Sequence, residues 1–81
     1  MGGSIYAPEY QEFLRRLRDA RSEAGLTQSE VAGKLNQPQS YVSRCESGER
    51  RVDVVELAKF AVIYKKPLSY FVDFILPIKD I

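Results

Sequence analysis

The chain has 81 residues, of which 44% are apolar and 28% charged, and 12 Lys and Arg against 11 Asp and Glu leave a net charge of +1. That length leaves room for one hydrophobic core, and that composition excludes a disordered chain. One cysteine, Cys45, and no histidine exclude an intrachain disulfide, a cysteine zinc site and the most common general base, so neither a cofactor nor a metal is expected.

No window approaches the roughly 18 consecutive apolar residues of a membrane span. The opening residues Met1 to Tyr6 lack the charged and apolar regions of a signal peptide, so a reduced cytoplasmic setting is expected. The charge balance alone is a weak pointer to nucleic acid. Any electrostatic footprint must come from where the cations sit.

Apolar spacing is helical throughout and predicts an all-α chain of five helices, with a tail over residues 1–7, a domain over 8–76 and a second tail over 77–81. The first helix starts near Pro8, a favourable first-turn residue, and carries Phe13, Leu14, Leu17, Ala20, Arg21 and Ala24 on one side up to a stop at Gly25. Thr27 opens the second with Glu30 as its capping-box partner and Val31, Ala32 and Leu35 as its apolar side, and Asn36 suits the left-handed exit. The third runs from Pro38 to Ser47, ended by Gly48. Asp53 and Glu56 cap a fourth that reaches about Tyr64, with Leu57, Ala58, Ala61 and Val62 expected in the core. Pro67 opens a fifth, very apolar helix expected to extend to Leu76.

The third helix has the pattern of a surface that reads something. With steps of about 100° per residue, Val42 and Cys45 form an inward stripe, while Ser40, Ser43, Arg44 and Ser47 fall on the far side and Gln39 at the leading end. Hydroxyls, an amide and a guanidinium are the groups that read base edges: Arg suits guanine, Gln suits adenine, and Ser serves either. A merely solvated helix face would carry more Glu and Lys than this one does. The face is also flanked by Thr27 and Gln28 at one helix start and by Arg50 and Arg51 beyond Gly48, groups suited to phosphate.

These residues resemble the Xre family of helix-turn-helix regulators, which includes the phage lambda-type repressor and Cro proteins. The likeness is carried by Leu26-Thr27-Gln28, Glu30-Val31-Ala32, Asn36 at the turn and Ser43-Arg44-Cys45-Glu46-Ser47-Gly48, and it continues from Asp53 to Phe71. The resemblance implies a five-helix bundle, lambda repressor-like, whose third helix enters the major groove of double-stranded DNA. It implies base contacts from Gln39, Ser40, Ser43 and Arg44 and a phosphate contact from Gln28, beside which the residues themselves offer Thr27, Lys34, Gln37, Tyr41, Arg50 and Arg51 as further phosphate contacts. Gln28 would also brace Gln39. Tyr41 fits either the sugar–phosphate backbone or the helix edge. The resemblance further implies a structural ion pair between Arg21 and Glu46. Asn36 and Lys65 depart from the family pattern, in which glycine is commoner at both places, and Cys45 stands where Ile or Leu is usual.

Cys45 points inward and reads as a small buried hydrophobe rather than a redox sensor. Arg15, Arg16, Arg18 and Arg21 interleave with Glu12, Asp19 and Glu23 at helical pairing distance, which favours a solvated face over a basic patch for most of the cluster. Neither a paired acid–base site nor a phosphate-cradling glycine loop is present, so enzymatic activity is not expected. The apolar excess of the fifth helix and the tail Pro77 to Ile81 predicts a homodimer, and hence an operator with inverted symmetry. The function expected is a transcriptional repressor or autoregulator. The alternatives are the antitoxin half of a toxin–antitoxin pair, with the apolar C-terminus held by a protein partner, and a helix-turn-helix used only for protein contact.

Overall fold

A computed structural model of the chain describes residues 7–75. Five helices follow one another: α1 (Pro8–Glu23), α2 (Gln28–Lys34), α3 (Gln39–Ser47), α4 (Val54–Tyr64) and α5 (Ser69–Val72). No strand occurs among the described residues. The two tails, apart from Ala7, and the contribution expected from Leu76 lie outside them.

Local chemistry sets most boundaries. Thr27 and Glu30 close a reciprocal capping box at the start of α2, and Asp53 and Glu56 do the same for α4. Three helices end in one manner. Gly25, Asn36 and Lys65 each adopt a positive φ, and the next residue's N–H reaches back to Arg21, Ala32 and Ala61 respectively. Gly48, at φ 86°, turns the chain out of α3.

α1 packs against α3, α4 and α5, while α2 lies on α3. Each helix gives its apolar stripe to one core: Leu14, Leu17 and Ala20 from α1, Val31 and Ala32 from α2, Val42 and Cys45 from α3, Leu57, Phe60, Ala61 and Tyr64 from α4, and Phe71 from α5. Phe60 stacks between Tyr41 and Tyr64, with centroids 6.4 and 5.9 Å away. Ring burial of this kind dominates the energetics of so small a core.

Four expectations need correction. Val62 points outward and is 77% exposed, because the buried stripe of α4 follows Leu57, Phe60, Ala61 and Tyr64. Ala58 on the same helix is only half-buried. Ala24 is exposed, since it already belongs to the turn that caps α1. The fifth helix is far shorter than expected, and Pro67 precedes it. Its entry is made of tight bonds from Tyr70 and Phe71 back to Pro67 and Leu68. The carbonyl of Tyr70 accepts from Arg16 Nη1 at 2.8 Å, the group on which a continuing helix would draw for residue 74.

Candidate nucleic-acid interface

α3 owes its outward face to what holds its inner one. Val42 and Cys45 are completely buried and Glu46 is 3% exposed, so the helix is pinned along one side. Gln39, Ser40, Ser43, Arg44 and Ser47 are all exposed on the other. Pro38, with extended backbone, sets the entry of the chain into the helix.

Beneath that face lies a polar cluster. Glu46 accepts from Arg21 Nε at 2.6 Å and Nη2 at 3.0 Å, and from Gln28 Nε2 at 3.0 Å. The Glu46 carboxylate raises the pKa of Arg21 by direct hydrogen bonding. Arg21 Nη1 also donates to the Leu26 carbonyl, and Arg18 donates to the backbone oxygen of Glu46. Gln28 faces two ways: its Oε1 accepts from Gln39 Nε2 at 3.5 Å. A buried carboxylate at the base of α3 is therefore linked through one amide to the leading residue of the exposed face. Arg21 and Glu46 are thus paired, and Gln28 bridges Glu46 and Gln39.

The arginines divide into two kinds. Arg15 and Arg16 are paired with Glu12, and also with Asp19 and Asp73 respectively. Arg50 is paired with Glu56, and its guanidinium lies 5.1 Å above the Tyr41 ring. Arg51 lies 4.4 Å above the Tyr10 ring. The side chain of Arg44, in contrast, has no hydrogen-bond or ion-pair partner among the described residues, and neither do those of Ser40 and Ser43. Ser47 differs from its neighbours. Its hydroxyl donates to the Arg44 carbonyl at 3.2 Å and accepts from the Glu49 N–H at 3.3 Å, which closes the end of the helix.

The other expected phosphate contacts are scattered. Thr27 caps α2, and Gln37 is exposed in the turn before α3 with its N–H bonded to Ala32. Lys34 sits at the far end of α2 from Gln28, on the rim of a groove lined by Leu35, Val55, Ala58, Lys59, Val62 and Ile63, away from the α3 face. Tyr41 packs at the helix edge, its ring half-buried on Phe60. Burial first, then the negative charge of Glu56, pushes its phenol up to about 12. Burial likewise pushes the Cys45 thiol up to about 11, as suits an inert core residue.

The Asp53–Glu56 spacing marks Glu56 only as a capping residue. Its second role, holding Arg50, has no sequence signal beyond a carboxylate six residues from a guanidinium across a loop. Arg16, which ties α5 to α1, likewise carries in sequence only the signal of a solvated face.

Among the described residues, no helix is long and apolar enough to cross a membrane, and no cluster of acidic and sulfur groups is placed to hold a metal. Residues 12–67 match the family model of a helix-turn-helix domain. Comparison with curated proteins returns no match. Among solved structures the chain is similar to an "XRE-family like protein" of Pseudomonas syringae pv. tomato. The two are 38% identical, with a TM-score of 0.79 over 90% of this chain and 93% of that one. The class is thus a helix-turn-helix domain, formed here by α2 and α3. Within it, the chain belongs to the Xre family of DNA-binding transcription regulators.

Proposed function

We propose that this protein is a sequence-specific regulator, a repressor or autoregulator, that binds double-stranded DNA as a homodimer on an inverted-repeat operator and acts by occupancy. It is a binding protein without enzymatic activity. One observation carries the reading: Gln39, Ser40, Ser43 and Arg44 are exposed together on α3, above a fully buried Val42 and Cys45. Exposed groups with unfilled hydrogen-bonding capacity on a rigid helix are what direct readout in a major groove requires.

The polar cluster sharpens this. A carboxylate can only accept, so Glu46 turns the NH2 of Gln28 inward and leaves its Oε1 for Gln39. Gln39 then keeps its own oxygen and one N–H for the groove, the acceptor and donor pair that matches adenine. Arg44 suits guanine, while Ser40 and Ser43 contact either base. Thr27, Gln28, Gln37, Arg50 and Arg51 frame the face as phosphate contacts that set register. The assignment extends less directly to Lys34 and Tyr41. The homodimer is supported by exposed Val54 and Ile75, which border an apolar groove of about 410 Å³ with Tyr10, Val52 and Val72.

Selection of bound sites from random duplex DNA tests the reading. The expected product is an inverted repeat with half-site centres about one helical turn, or a multiple of it, apart. Recovery of unenriched duplexes alone would contradict it.

A further inference from the structure

We propose, on the reading that α3 and its following loop face DNA, that Glu56 is a positioning residue that holds Arg50 in place for a phosphate while cancelling most of its charge. The Glu56 carboxylate is shared two ways: Oε1 accepts from the Asp53 N–H at 2.9 Å, and Oε2 accepts from Arg50 Nη2. These contacts leave the Glu56 side chain only 14% exposed, whereas 45% of the Arg50 side chain is open to solvent. Arg50 is further located by the Tyr41 ring beneath it and by its backbone N–H, which donates to the Arg44 carbonyl at 3.1 Å.

The arrangement separates geometry from charge. A guanidinium has five N–H donors, and one serves Glu56, so others remain to meet a phosphate oxygen. The adjacent carboxylate makes the local net charge close to zero, so few counterions leave the DNA when this contact forms. In a chain of net charge +1, such a device keeps affinity for any backbone low. Discrimination is then left to the α3 face. Glu56→Gln separates the two functions. Its amide oxygen still accepts the Asp53 N–H, preserving the capping box, but its NH2 cannot accept from Arg50.

The test is fluorescence anisotropy on a random-sequence duplex of about 20 base pairs across a salt series, comparing wild type, Glu56→Gln, Arg50→Ala and the double variant. Glu56→Gln is expected to bind several-fold tighter at low salt. Its slope of log affinity against log salt steepens by up to about 0.9, so that a fourfold rise in salt costs roughly threefold more affinity than in wild type. In the Arg50→Ala background, adding Glu56→Gln leaves the slope unchanged. A wild-type slope in Glu56→Gln, or equal steepening without Arg50, overturns the proposal and leaves DNA binding intact. Absence of any salt-dependent binding by wild type overturns both. Should Glu56→Gln fail to fold, Arg50→Ala alone decides: a slope drop well below about 0.9 supports masking by Glu56, and a full drop refutes it.

Discussion

Glu46 links the scaffold to the exposed face of α3. It is 3% exposed, it neutralises Arg21, and through Gln28 it reaches Gln39. Glu46→Ala would strand Arg21 and release Gln28 together. We expect a loss of about 3 kcal/mol in chemical denaturation, toward the lower end for a buried pair because Arg21 keeps some contact with water. A loss well under 1 kcal/mol would show that the pair is only decorative. Cys45 offers a pH test. Burial holds its thiol up near 11 in the folded chain, while the unfolded thiol ionises near 9. Between those values only the unfolded state has given up its proton, so this group's contribution to stability falls as pH rises through that window. Cys45→Ser should remove that increment from an alkaline stability profile, and an unchanged profile would count against the assignment.

At the scale of the element, terminators and caps were the most legible features. Thr27 with Glu30 and Asp53 with Glu56 announce two helix starts by residue type and spacing alone, and Asn36 takes the left-handed exit expected of it. The inward stripe of α3 was equally legible, since Val42 and Cys45 are the apolar positions inside an otherwise polar segment. Val62 was not. An apolar residue beside an apolar stripe is sorted by which neighbours bury the larger surface, and Phe60 and Tyr64 win that contest. The length of α5 was illegible for a different reason. Its end is tied to α1 by Arg16, which donates to the Tyr70 carbonyl from 54 positions away in sequence, a contact that no local pattern reveals. Lys65 marks a local cost, since it ends α4 at φ 57° where glycine would sit without strain. Lys65→Gly should therefore raise stability by about 0.5–1 kcal/mol in thermal unfolding, and a clear loss would mean that the lysine stem is packing usefully.

Across the whole molecule, charge placement matters more than net charge. Arg15, Arg16, Arg18 and Arg21 serve the scaffold by binding carboxylates and carbonyls, so a near-neutral total is compatible with a reading surface. Cations that look alike in sequence accordingly have different tasks. This division was only half legible: helical spacing exposed the pairing along α1, but the contacts from Arg16 to α5 and from Arg50 to Glu56 depend on the tertiary fold.

The measurement that tests the central claim most directly compares Arg44→Ala with Arg51→Ala on a selected operator, on single-base variants of it and on unrelated duplex. Arg44→Ala is predicted to lose about 1–3 kcal/mol on the operator and to relax preference at one base position, with little change on unrelated DNA. Arg51→Ala is predicted to weaken every duplex alike and flatten the salt slope. If Arg44→Ala weakened all sequences equally and left base preference intact, the exposed face of α3 would not be the reader.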